Sequence, residues 1–527
     1  MKRSLVKILG ITALAISVAF TSFSAPVMAV ESTNSIIIEE SKSSNDFILN
    51  EIENSTKNEP TIENNKENLN DESLNHESNN KKEEDQLNEV KEILKESKTE
   101  NEAEGLEIPD TIELPNSEDF DSKSKVEAQG EIIEQEPLQY PDIKSEVIEE
   151  GNKYPIVLVH GFMGFGRDEL LGYKYWGGIV DIQESLRNQG YETYTATVGP
   201  VSSNWDRACE LYAYIVGGTV DYGAAHAKKY GHERYGRTFE GIYKDVSDAN
   251  KIHLIGHSMG GQTVRTLTQL LSEGSEEERN YDQENICALF MGGKHWVRSV
   301  TTISTPNDGT TLSDVMPAKK LINVSLGILG TINGKDNLSN CLYDFKLDQF
   351  GLKKQPGESY INYNKRVLDS NIWSGTKDIG PYDLSTYGAE ELNKWVKAQP
   401  DVYYFSWVTK ATKKLLITGY AVPQIGPMNP LFYPSATKMG NYTRNYKGPI
   451  IDDEWFDNDG IVNSISQEGP RLGSNDVIKK FNGQPKVGQW NVMPTLINTD
   501  HMDIVGTFGD VEDWYIDYAE QLSNLPR

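Results

Sequence analysis

Gly256-His257-Ser258-Met259-Gly260 is a Gly-x-Ser-x-Gly pentapeptide. It directly follows the apolar run Ile252 to Ile255 and directly precedes helix-forming sequence from Gly260 to Leu271. A serine there sits on a tight strand-to-helix turn, and the glycines let neighbouring strand and helix approach. The N-terminus of the helix favours negative charge at the serine and on an oxyanion. Such a nucleophile needs a base and a carboxylate to orient it, and in folds with this elbow the chain order is Ser, then acid, then His. Only His295 and His501 follow Ser258. His295 precedes the expected strand Val297 to Ser304, which puts it at the wrong, N-terminal edge of a sheet, so His501 is the better base. Asp308, Asp457 and Asp459 are the candidate acids. Asp459, in the turn Asp457-Asn458-Asp459-Gly460 leading into Ile461-Val462, is preferred, and Asp457 is the runner-up. Two backbone N–H donors must hold the oxyanion. They are assigned to Met259 and to Phe162 in the loop His160-Gly161-Phe162-Met163-Gly164.

The elements around these residues read as alternating strands and helices. Pro155 to Val159 is a short continuous apolar run, as expected of a strand buried on both faces of a parallel sheet. Tyr191 to Thr197, Lys251 to Gly256, Val297 to Ser304 and Val402 to Val408 are further strands. Ile179 to Gln189 has helical periodicity and ends at Gly190, a suitable cap. The pattern predicts a doubly wound α/β sheet. Long insertions interrupt it, at about 201–250 and 311–399.

The 527 residues carry a formal net charge of −28, unevenly spread. Residues 30–150 hold 35 acids against 11 Lys and no Arg, or −24, and residues 151–527 carry only −7. This acidic balance argues against a nucleic-acid partner, which needs a basic footprint. Met1 to Lys7 is basic, Ile8 to Phe20 apolar, and Val27-Met28-Ala29 fits a cleavage site, so 1–29 reads as a secretory signal. No later run is long and apolar enough to span a membrane. Residues 30–148, rich in Glu, Asn, Lys and Ser, cannot bury enough apolar surface to offset the entropy of ordering. They read as a disordered pro-segment that a processing protease removes. Cys209, Cys287 and Cys341 read as small buried apolar residues, since a large core does not need disulfides.

From about Tyr154 onward the chain resembles the large secreted bacterial triacylglycerol lipases of the staphylococcal and thermoalkaliphilic bacillus type. The likeness rests on Val159-His160-Gly161-Phe162, Tyr175-Trp176-Gly177-Gly178, Trp205-Asp206-Arg207-Ala208-Cys209-Glu210, Gly217 to His226, Tyr343 to Gln349, Asn458 to Asn463 and Asp500-His501. It implies an α/β-hydrolase fold over 149–527 and the triad Ser258, Asp459 and His501, in agreement with the order argument. It implies a structural zinc held by Asp206, His226, His232 and Asp383, pinning the 201–250 insertion to the segment around Asp383. A calcium site beside the histidine matches only in part, with Asp503, Asp500 and Asp510 as candidate ligands. A helical lid at about 312–340 is implied, carrying the apolar stretch Lys319 to Gly330. The resulting expectation is a secreted serine lipase with interfacial activation that attacks triacylglycerol at an oil–water interface. The competing readings are a phospholipase or short-chain esterase with the same triad, and a non-catalytic binding protein that keeps the fold.

Overall fold

The computed structural model describes residues 151–169, 172–322, 325, 343–507 and 509–527. The expected signal, the acidic segment, Cys341 and most of the expected lid lie outside the described residues. Seven parallel strands form the central sheet: β1 Ile156–Val159, β2 Thr193–Ala196, β3 Ile252–His257, β4 Val297–Ile303, β5 Tyr403–Trp407, β6 Ile478–Lys480 and β7 Trp490–Val492. Their order is β6-β7-β5-β4-β3-β1-β2. The first five are the expected strands, with ends shifted by a residue or two. β6 and β7 are three residues each, too short for a periodic signal.

Every residue of β1, β3, β4 and β5 is buried, because helices cover both faces of the sheet. Alternate side chains feed two separate cores. Ile156, Leu158, Ile255, Ile303, Phe405 and Trp407 pack with Ile182 and Leu186 of α1 (Ile182–Asn188) and, at the far end of the chain, with Trp514, Tyr515, Tyr518 and Leu522. Val157, Val159, Leu254 and Val300 pack against Ala208, Leu211 and Ile215 of α2 (Asn204–Val216) and Val264, Leu267 and Leu271 of α3 (Met259–Glu273). Each such side chain contributes about 1.5–3 kcal/mol of burial, and truncating Phe405 to Ala would cost about 3–5 kcal/mol. α4 (Glu512–Ser523) completes the first face.

α1 starts later than its periodicity suggests. Asp181 caps it by accepting from the Glu184 N–H, and Ile179, outside the helix, is 96% exposed. Because all seven strands run the same way, the segments following β1, β3, β5 and β7 emerge at one edge. These are the segments that carry His160–Gly164, Ser258, Thr409 and His501.

Candidate active site and candidate metal centre

Ser258 joins β3 to α3 with φ 54° and ψ −131°, a backbone conformation that costs a non-glycine residue energy and is held by its surroundings. Its N–H donates to Ile303 O at 2.9 Å. The glycines are required sterically. A Cβ on Gly260 would strike Val159 O, and one on Gly256 would strike the Gly260 backbone. One on Gly161 would lie 2.6 Å from Ser258 Cβ.

His501 Nδ1 lies 2.9 Å from Asp459 Oδ2, and both residues are buried. The Asp459 carboxylate is saturated with donors. Oδ1 accepts from the Ile461 and Val462 N–H groups at 3.0 and 2.7 Å. Oδ2 accepts from Thr409 Oγ1 at 2.8 Å and Gln467 Nε2 at 3.0 Å besides His501. The other candidates are elsewhere. Asp457 pairs with Lys410 at 2.9 Å. Asp308 accepts from the Arg471 and Leu472 N–H groups, and burial pushes its carboxyl up to about 6. His295 faces Asp401, just ahead of β4.

Ser258 and His501 line one apolar cleft with Phe162, Met163, Leu312, Leu384, Leu431 and Phe432. Of the described part of the expected lid, Met316, Leu321 and Ser325 line it as well as Leu312. Among the described residues, the N–H groups of Phe162 and Met259 donate to no protein acceptor, which leaves both available to a ligand oxygen. A hydrogen-bond chain ties these loops together. The Gly161 N–H donates to Tyr175 Oη (3.0 Å), Tyr175 donates to His257 Nδ1 (2.6 Å), and His257 Nε2–H donates to His501 O (2.9 Å). The sequence offered no signal for this chain.

Residues 152–524 match the model of the family described as "Lipase-like, C-terminal domain". The chain belongs to that family. Lipase 1 of Staphylococcus aureus is 43% identical over 376 residues, which are 69% of this chain and 53% of that protein. The chain thus spans about half the length of the curated relatives it matches. Among solved structures, EstA from Clostridium botulinum is 72% identical with TM-score 0.72, over 74% of this chain and 92% of that one. Lipase 1 from Pelosinus fermentans is 54% identical with TM-score 0.64, over 71% and 100%. Staphylococcus hyicus lipase is 37% identical with TM-score 0.58, over 72% and 95%.

A second cluster of this family member involves the 201–250 insertion. One ligand atom each from Asp206, His226, His232 and Asp378 lies within 4.8 Å of the others. His226 Nε2 is 3.4 Å from Asp206 Oδ1 and 3.1 Å from Asp378 Oδ1, and His232 Nε2 is 3.0 Å from Asp378 Oδ2. Asp206 Oδ1, both Nε2 atoms and Asp378 Oδ2 are buried and have no hydrogen-bond partner, the signature of a site built for a cation. His232 Nδ1–H donates to Glu233 O at 2.9 Å, which leaves Nε2 as the ligand atom.

The fourth acid corrects the expected set: it is Asp378, not Asp383. Asp383 lies five residues further on and turns to the N-terminus of α2, where it accepts from the Asn204 N–H at 2.6 Å. Burial pushes its carboxyl up to about 8. The segment still docks on the insertion, since the Gly380 N–H donates to Val201 O at 2.7 Å.

Of the expected calcium candidates, Asp500 and Asp503 lie side by side and Asp510 bonds elsewhere. Asp500 and Asp503 accept from each other's backbone N–H, whereas Asp510 Oδ1 accepts from the Glu512 N–H at the start of α4. Both Asp500 oxygens accept from backbone donors. Cys209 is buried and Cys287 half-buried, and both are free thiols. No helix among the described residues is long and apolar enough to cross a membrane.

Proposed function

We propose that the chain is a serine ester hydrolase acting on lipid esters, triacylglycerol among them. The observation that carries the reading is the saturated Asp459 carboxylate on His501, in one apolar cleft with a serine on a strained elbow. His501 donates Nδ1–H to Asp459, so Nε2 is free to take the Ser258 proton as the oxygen attacks the ester carbonyl. The Phe162 and Met259 N–H groups hold the oxyanion. His501 then protonates the departing alcohol, and water releases the fatty acid from the acyl-enzyme. An apolar cleft suits acyl chains, and a lid over it would open at an oil surface.

Asp206, His226, His232 and Asp378 would hold a structural zinc. Two imidazoles and two carboxylates complete a tetrahedral shell with no position open to substrate. The reading makes the enzyme an exported one, supported by the basic and apolar pattern of residues 1–29.

Hydrolysis of emulsified triglyceride against substrate concentration tests it, with Ser258→Ala as control. The rate should rise sharply where droplets form, and the variant should be inert while folded. Saturation on soluble short esters with no action on emulsified fat would assign a plain esterase. Turnover by the variant would remove Ser258 from the mechanism.

A further inference from the structure

The strands Thr412–Lys414 and Ala421–Pro423 form an antiparallel hairpin whose tip is apolar and bare to solvent. Leu416 is 104% exposed and Ile417 84%, with Leu415 and Tyr420 beside them. Contiguous aliphatic side chains at a hairpin tip contribute nothing to the core, and a surface turn ordinarily carries polar residues. The turn is ordered: the Leu415 N–H donates to Tyr420 O at 2.8 Å and the Gly419 N–H to Leu415 O at 2.9 Å.

The arm stands on the active-site edge. The Ala411 N–H donates to Asn458 O at 3.1 Å, and Asn458 N–H donates to Thr412 Oγ1 at 3.0 Å, immediately beside Asp459. Three residues of strand carry the tip about 10 Å beyond that base, close to the ~5–10 Å by which interfacial segments enter a headgroup–acyl boundary. The apolar surface continues back toward the cleft. Ile425, just past the second strand, is 86% exposed, and Leu431 is 46% exposed while also lining the cleft. The hairpin's own charged residues are of one sign: Lys413 and Lys414 are both exposed, in a domain that is net acidic and with the exposed acids Asp452, Asp453 and Glu454 beside Lys414. Lys414 reaches back to Asp453 O at 3.2 Å. An apolar end below a lysine collar is the pattern that inserts into a lipid surface while the ammonium groups meet phosphate headgroups.

We infer that the hairpin 412–423 anchors the protein on a lipid surface bearing anionic headgroups, its tip entering the acyl boundary and its lysines holding the phosphates. The orientation would press the mouth of the cleft against the lipid. The purpose of the anchor rests on the proposed ester hydrolysis; the binding itself does not.

The test uses the full chain with Ser258→Ala, so that lipid is not consumed, and sedimentation with large vesicles of phosphatidylglycerol and phosphatidylcholine. The pair Leu416→Ser and Ile417→Ser should weaken vesicle binding at least tenfold. Lys413→Glu with Lys414→Glu should abolish the preference for phosphatidylglycerol over pure phosphatidylcholine. With Ser258 restored, both variants should hydrolyse soluble p-nitrophenyl acetate at the parent rate. Unchanged vesicle affinity in the serine variant overturns the inference. So does a change confined to oligomeric state in gel filtration, which would make the tip a contact between copies. A parent chain that binds vesicles but hydrolyses no ester would sink the proposed function and leave the anchor standing.

Discussion

Asp459→Asn isolates what the carboxylate does for His501. The amide has one acceptor and one donor end, and the surroundings decide which way it turns. At the Oδ1 position wait two backbone donors, Ile461 and Val462, at 3.0 and 2.7 Å. They cannot turn away, so the amide oxygen must go there. The NH2 group then faces His501 Nδ1, Gln467 Nε2 and Thr409 Oγ1. Thr409 can reverse its hydroxyl and accept, whereas Gln467 meets it donor to donor, at a cost of about 1–3 kcal/mol. His501 can keep a hydrogen bond only by accepting at Nδ1. Its proton moves to Nε2, the nitrogen that takes the Ser258 proton in the proposed mechanism. A base in the wrong tautomer loses about 10⁴ in kcat, or roughly 5–6 kcal/mol at 1.36 kcal/mol per tenfold. The assay is kcat on a soluble p-nitrophenyl ester, with a melting curve to register the smaller stability loss. Asp457→Asn, which gives up only the Lys410 pair, is the control and should stay within about twofold. An Asp459→Asn enzyme that keeps more than a tenth of the parent kcat would refute the tautomer argument.

Three other perturbations separate the remaining parts. Asp378→Ala should lose bound zinc and melt earlier, whereas Asp383→Asn should keep the metal, because burial already favours the neutral form of that carboxyl; zinc content by elemental analysis checks both. Asp308 is held above its ordinary range, to about 6, by burial, so the folded state binds its proton more tightly than the unfolded one does. Its contribution is most favourable below the ordinary carboxylate range near 4 and is lost as pH rises through about 6, so Asp308→Asn should gain melting temperature relative to the parent between pH 4 and 7. Tyr175→Phe strands the Gly161 N–H and His257 Nδ1, both buried, and should cost about 2–4 kcal/mol of stability along with kcat, measured by melting and by ester turnover.

What could be read ahead of the structure was whatever is local in the chain. The elbow, the two donor loops and the turns that carry Asp459 and His501 each occupy a few consecutive residues, and a strand buried on both faces such as Ile156–Val159 announces itself as an unbroken apolar run. Five of seven strands were legible, and β6 and β7 at one side of the sheet were not, because three residues such as Ile478–Lys480 carry no period. The metal shell was only partly legible. His226 and His232 flank a helix end, but which aspartate completes the shell depends on where a turn points after folding. Asp378 and Asp383 are alike in sequence, and only the approach of α2 assigns one to the cation cluster and the other to the helix N-terminus. The donors around Asp459 were invisible for the same reason, since Thr409 and Gln467 arrive from different segments.

The three histidines around the elbow have divided roles that their surroundings enforce. His160 is fully buried; burial first, then the Arg207 and Lys346 charges, push its pKa well below the usual range. It therefore stays neutral, with Nε2 accepting from the Val198 N–H and Nδ1–H donating to Gly161 O. His257 is likewise pushed far down, by burial and then by the charge of His501. Tyr175 on one nitrogen and His501 O on the other fix its tautomer. Its ring lies 4.7 Å from that of His501, centroid to centroid. In the proposed mechanism, a protonated His257 there would oppose the imidazolium formed on His501, by direct like-charge repulsion in a dry site. A neutral His257 instead offers its hydrogen bond to the His501 backbone without competing for the proton. Charge can thus develop on one imidazole only, the one that Asp459 is placed to stabilise.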